Sequence, residues 1–449
     1  MRKRLLLALL AALVPILLSG CMLTSSVEEL YALPQLPEEY QKLSAQIEEI
    51  LASGAEYTAP TSGTNLQSVQ LEDLDGDGDE EALAFFRTNS DGRPLRIYIF
   101  QAMGEGYQQA AVIEGSGTSI YSIHYEDMNG DGVKEILVSW QFSTGVQAME
   151  VYVLEDLEPV LSMSTPYARY EVMDLDSDDI RELVVLRGDE TESGGSLADY
   201  YDWDGSSLVL RSTEKLSMTI AELQWMEAGT LQNGETAVFV TGRVIGVEET
   251  SRAITDILVY RDPDLTNIVL DDMTGVSSQI SRFLNLQPTD INGDGVTEVP
   301  MPAELPAEGE DAYWKIYWYS YSPDGAPEQQ TITYHNLTDS WYLLIPESWD
   351  NHFTVRQSSV GATERATTFY SVAGRQIGEE LLTIYTITGN SQETQAALGE
   401  RTILRRQANT VYAVQYTEYY EKDWRYAVSQ EQLAESFNPI LTQWSTGEE

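Results

Sequence analysis

A chain of 449 residues with 72 acidic against 26 basic side chains and a net charge of −46 is long enough for more than one hydrophobic core. Its charge repels nucleic acid and anionic lipid head groups. An aromatic content of 10%, with β-favouring residues along the whole length, excludes an acidic disordered chain, and a single cysteine excludes a disulfide framework.

At the N-terminus, Arg2-Lys3-Arg4, an apolar run from Leu5 to Leu18 and Ser19-Gly20-Cys21 have the layout of a signal peptide over residues 1–20. Leu18-Ser19-Gly20-Cys21 resembles the bacterial lipobox, which implies that Cys21 is lipidated and becomes the first mature residue. The fourteen apolar residues fall short of the ~20 that a spanning helix needs, so a lipid anchor to the bacterial cell membrane is expected rather than an uncleaved span. Cleavage removes three positive charges and takes −46 to −49. Residues 21–60 then hold a short tether and a helix from Pro37 to Ala52, with Tyr40, Leu43, Ile47, Ile50 and Leu51 on one face and Gly54 as its stop.

Further along, one spacing occurs four times. Oxygen-bearing side chains stand at positions 1, 3, 5 and 9 of Asp73, Asp75, Asp77 and Glu81; of Asp127, Asn129, Asp131 and Glu135; of Asp174, Asp176, Asp178 and Glu182; and of Asp290, Asn292, Asp294 and Glu298. Calcium takes six to eight hard oxygens, and alternate side chains of a tight loop can converge on one point. About four structural calcium ions are therefore expected. Glycine at position 6 (Gly78, Gly132, Gly295) permits a positive φ; Asp179 in the third loop is expected to make that site form less readily than its siblings. Position 12, which in an EF-hand is a bidentate acid, is Ala84, Val138, Val185 and Met301. The runs Ile136-Leu137-Val138 and Leu183-Val184-Val185 read as strands buried on both faces, so each ion is expected in a strand-to-strand turn.

Asp73-Leu74-Asp75-Gly76-Asp77-Gly78 and Asp127-Met128-Asn129-Gly130-Asp131-Gly132 resemble the loop of the FG-GAP/VCBS repeat family, known from integrin α-subunit propellers. The resemblance, over about residues 60 to 335, implies that the loop joins adjacent strands of a blade. It also implies that position 7 ligates through its carbonyl, here Asp79, Val133, Ile180 and Val296.

The first aspartates stand 54, 47 and 116 residues apart. The last interval leaves room for a unit without ligands, expected at Leu223-Gln224-Trp225 and Gly234 to Val240. The fold class is thus an all-β propeller of about five four-stranded blades over 61–335, followed by a smaller α+β domain over 336–449. In that domain, strands are expected near Trp341–Ile345, Thr367–Ser371, Leu381–Thr388 and Thr410–Tyr416, and a helix over Gln430–Trp444.

No catalytic motif emerges. His124, His335 and His352 are widely spread, and Ser212-Thr213-Glu214-Lys215 lacks companion motifs. Arg187-Gly188-Asp189 follows a predicted strand, and the aromatic run Tyr313 to Tyr319 reads as core packing before sugar stacking. The expected function is a lipid-anchored surface protein that presents a protein- or glycan-binding face; the rival reading is an extracytoplasmic propeller-fold hydrolase or lyase acting on polysaccharide.

Overall fold

The computed structural model describes residues 38–440 except 90–91, 105, 190, 192–194, 246–250, 272, 278–279, 282–285 and 309–311. The signal peptide, Cys21, the tether and Pro37 lie outside the described residues, as does the end of the expected C-terminal helix. The chain divides into two compact units: residues up to 59 with 67–73 and 77–115, and residues 60–66, 74–76 and 116 onward.

In the first unit, the helix Glu38–Ala52 places Leu43 and Ile47 against Ala82, Ala84, Phe86 and Phe100 of a sheet. Successive strand residues point to opposite faces, so the small side chains of Glu81–Arg87 fall together on the helix side, where they allow close approach. Gln46 fixes the helix at the far strand: its Nε2 donates to the Tyr107 carbonyl at 2.5 Å, and its Oε1 accepts the Gln109 N–H at 3.1 Å. Gly54 stops the helix at φ +94°. The sheet pairs Val69–Glu72, Glu81–Arg87, Leu95–Met103 and Gly106–Gly115 in sequence order, with Glu56–Tyr57 added beside Glu81–Arg87.

The second unit repeats this four-strand meander. Its second sheet is Ser119–Glu126, Glu135–Ser143, Val146–Glu155 and Glu158–Tyr167; its third is Arg169–Met173, Glu182–Gly188, Ser196–Trp203 and Leu208–Lys215. The fourth, Leu223–Thr230, Thr236–Ile245, Ser251–Arg261 and Asp264–Asn267, occupies the long interval as expected, with Ile280–Ser281 paired to its third strand. The fifth is Val299–Glu304, Trp314–Tyr321, Pro327–Asn336 and Trp341–Ile345. All these pairings are antiparallel.

Within this unit the sheets stack face to face, and period-two alternation sorts each inner strand between two neighbours. Leu183 and Val185 join the core of the second and third sheets, while Val184 and Leu186 join that of the third and fourth. Val238 and Val240 face the third sheet; Ala237 and Phe239 pack with Val299 and Tyr321 of the fifth. Strands with no solvent face therefore read as continuous apolar runs.

Beyond Ile345, a sixth sheet of Phe353–Ser359, Glu364–Ala373, Gln376–Thr388, Thr410–Tyr416 and Thr402–Gln407 packs Phe369, Leu382 and Val414 against Tyr334, Leu343 and Ile345 of the fifth. Trp341–Ile345, expected at the start of a separate α+β domain, completes the fifth sheet instead, so the boundary at 336 falls inside that sheet. Of the expected helix over 430–444, the described residues are helical over Gln430–Glu435. Its capping box at Ser429 and Gln432 starts it, and Pro439 favours an extended Asn438, so Phe437–Pro439 pairs as a strand with Trp341–Leu343.

Phe239 is fully buried between the fourth and fifth sheets. Phe239→Ala is expected to lower unfolding free energy by about 3–5 kcal/mol, read as the shift of a urea denaturation midpoint.

Candidate metal centres

Each acidic loop connects the first and second strands of its sheet, or occupies the corresponding place before Val299 in the fifth, where Thr289 and Glu298 form the bridge. The acid at position 9 opens the second strand of the first three sheets and, as Glu298, directly precedes Val299–Glu304 in the fifth; it is buried in each, Glu81 being 1% exposed and Glu135, Glu182 and Glu298 0% exposed. In three loops its Oε2 accepts the backbone N–H of position 2, from Met128 at 2.9 Å, Leu175 at 2.6 Å and Ile291 at 3.1 Å. Position 2 is itself buried in every loop (Leu74, Met128, Leu175, Ile291), and Met128 and Leu175 plug into the inter-sheet cores. An apolar side chain directly after the first aspartate of all four loops was its sequence signal.

Positions 1 and 5 shape the turn. Asp127 accepts Gly130 N–H at 2.8 Å and Gly132 N–H at 3.0 Å; Asp290 accepts Gly293 and Gly295 N–H at 2.7 and 2.8 Å. Asp174 accepts Asp178 and Asp179 N–H, and Asp73 that of Gly78. Asp77, Asp131, Asp178 and Asp294 each accept the N–H of position 7, from Asp79, Val133, Ile180 and Val296, at 2.8 Å.

Position 3 separates the loops into two kinds. Asn129 and Asn292 donate through Nδ2 to Glu135 and Glu298 at 3.0 and 3.1 Å, so they turn nitrogen, not oxygen, toward the buried acid. Asp176 in the third loop has no hydrogen to give. There Asp174, Asp176, Asp178 and Glu182 bring carboxylate oxygens within 4.8 Å of one another, and the buried oxygens Asp176 Oδ1 and Glu182 Oε1 have no hydrogen-bond partner. Four carboxylates at this range repel unless a cation joins them. The third loop, expected to form least readily, thus has the complete four-acid group: Ser177 and Asp179 adopt φ +66° and +69°, the left-handed region that short polar side chains tolerate. Asp73, Asp75 and Glu81 form a similar three-acid group within the first loop.

The residues fit a hard divalent cation. Burial, reinforced by the loop aspartates, pushes Glu135 and Glu298 up to about 7 and Glu182 up to about 8. The folded chain therefore binds more protons than the unfolded chain between the ordinary glutamate range and pH 8, and without a cation its stability falls as pH rises through that window.

Consecutive loops are also joined to one another through backbone. Position 8 of the second loop, Lys134, donates its N–H to the carbonyl of Leu74 at position 2 of the first, at 2.8 Å; Arg181 does the same to Met128 at 2.7 Å. Thr297 donates to Thr230 of the unit without ligands at 2.9 Å. Gly76, at φ +73°, is required by this contact, since a Cβ there would lie 2.3 Å from the Gly132 carbonyl oxygen.

Residues 73–138, which contain the first two loops, match the model of the FG-GAP-like repeat. The chain carries an FG-GAP-like repeat. No curated protein matches the sequence. Among solved structures, this chain is similar to MPT-1, a GDP-Man-dependent mannosyltransferase from Leishmania mexicana, at 10% identity and a TM-score of 0.18, over 75% of this chain and 92% of that one. A TM-score so low carries no argument.

The other sequence candidates have structural roles. Arg187 is held by Asp199 within its own sheet, Nη2 to Oδ1 at 3.1 Å, and Ser212 Oγ accepts the Leu265 N–H at 2.7 Å.

Asp176→Asn restores the amide that the second and fourth loops possess. In chelator, the variant is expected to melt above the parent, and the parent's midpoint to fall between pH 5 and pH 8 more steeply than the variant's. An unchanged slope would contradict the role given to Glu182.

Proposed function

We propose that this chain is a lipid-anchored bacterial cell-surface protein whose sheets are the blades of a propeller-like array, clamped by structural calcium, and whose loops present a ligand-binding face. The reading is carried by the third loop, where a wholly buried glutamate with an unpartnered oxygen stands among three aspartates. The same hairpin recurs in three further sheets. Asp73, Asp127, Asp174 and Asp290 with their partners at positions 3, 5 and 9 would hold the ions, and the carbonyls of Asp79, Val133, Ile180 and Val296 would complete each set. FG-GAP repeats are typical of extracellular proteins, and a site with a Kd of ~10⁻⁴ M would be filled at the ~10⁻³ M calcium found outside cells. Each filled site then contributes about 1.4 kcal/mol.

Among the described residues no helix is long and apolar enough to cross a membrane; attachment in this reading rests on Cys21, where two or more acyl chains give a stable anchor. The arrangement of the loop acids as ligands supports a binding role.

Addition of a chelator is expected to lower the melting midpoint by at least about 5 °C, and Cys21→Ser to move the protein from the membrane to the soluble fraction. An unchanged midpoint contradicts structural calcium, and an unchanged membrane fraction contradicts the lipid anchor.

A further inference from the structure

The aromatic run of the fifth sheet divides into two sets. Trp318 and Tyr321 are buried away from the cavities that Tyr313, Trp314 and Ile316 line. Two cavities, each of about 210 Å³, adjoin at Tyr313 and Gln357. One is walled by Arg356, Tyr370 and Glu308, the other by Trp314, Tyr334 and His335.

We propose that this double cavity is a binding site for a neutral oligosaccharide, with one sugar ring on each side of Tyr313. This names the ligand class of the binding face proposed above and rests on that reading. Three observations select the class. First, aromatic rings stand in both compartments, and the electron-rich face of an aromatic ring attracts the C–H face of a pyranose. Second, polar groups are fixed beside them. Gln357 Nε2 donates to Tyr334 Oη at 2.9 Å, and Tyr313 Oη accepts the Gln357 N–H at 3.2 Å. These contacts orient the amide and the phenol before a ligand arrives, which lowers the entropy lost on binding.

Third, the charges among the described lining residues cancel. Arg356 is paired with Glu308 and lies 4.8 Å from the centre of the Tyr370 ring. Burial keeps His335 neutral by lowering it to about 3, and no other acid or base lines either cavity among the described residues. An anion would meet a cation already neutralised on a chain of net charge −46, so the site is matched to hydroxyls. A peptide is disfavoured for a separate reason. Gln357 lies in Phe353–Ser359, the edge strand of the sixth sheet, and its N–H, which an added strand would need, is already taken by Tyr313.

The test uses the full chain in detergent with calcium, and gluco-, manno-, xylo- and chito-hexasaccharides as neutral probes, with hexagalacturonate as the anionic one. Calorimetry is expected to give a Kd below about 1 mM for at least one neutral probe. Tyr313→Leu, which keeps bulk without the ring, is expected to weaken binding about tenfold or more, and Tyr313→Phe, which keeps the ring, by less than about threefold. Each variant is first shown to melt with the parent, and Tyr370→Leu serves as a second variant in the other wall. Binding of none of the neutral probes, binding indifferent to both leucine variants, or preference for hexagalacturonate or for a peptide would overturn the proposal. These results leave the calcium reading standing, since that depends on the chelator-sensitive midpoint, which this site does not touch.

Discussion

A carboxylate removed from water must find compensation, and in this protein a buried glutamate recurs at the end of the acidic loop in four sheets. Where asparagine is at position 3, an amide hydrogen supplies part of that compensation. In the third loop, where Asp176 is there, Glu182 Oε1 has no hydrogen-bond partner. Removing a charged group from water without a partner costs several kcal/mol, so the third loop is the place where the fold depends most on something outside it. The proposed calcium ion would supply the missing partner and turn a local liability into a clamp at the head of a buried strand.

The loop is tied to the core through the residue between its first two acids. Met128 and Leu175 sit in the inter-sheet clusters while their backbone N–H groups hold Glu135 and Glu182. Charge compensation and apolar packing therefore meet at one residue. The backbone link from position 8 to the preceding loop carries the same geometry from one hairpin to the next.

The repeat was legible because ligand spacing is a chemical requirement that sequence displays directly. The strands after each loop were legible for a different reason: burial on both faces leaves an uninterrupted apolar run, as in Leu183 to Leu186. The unit without ligands could be placed from its interval alone. What escaped the sequence depended on tertiary partners. Trp341–Ile345 looks like any short strand until Pro327–Asn336 is seen beside it, and the last helix stops after six residues because Phe437 is needed against Trp341, their ring centres 5.4 Å apart. The third loop lacks the glycine of its siblings, and Asp179 adopts the positive φ in its place. For the run Tyr313 to Tyr319 the sequence left sugar stacking second to core packing, and Ile316 and Trp318 do belong to the core.

The most direct test is anomalous diffraction from crystals soaked in a lanthanide that replaces calcium. The expected result is a peak inside the third loop, between Asp174, Asp176, Asp178 and Glu182, with further peaks at the other three hairpins. A map without density at the third loop, with Glu182 still buried, would contradict the account.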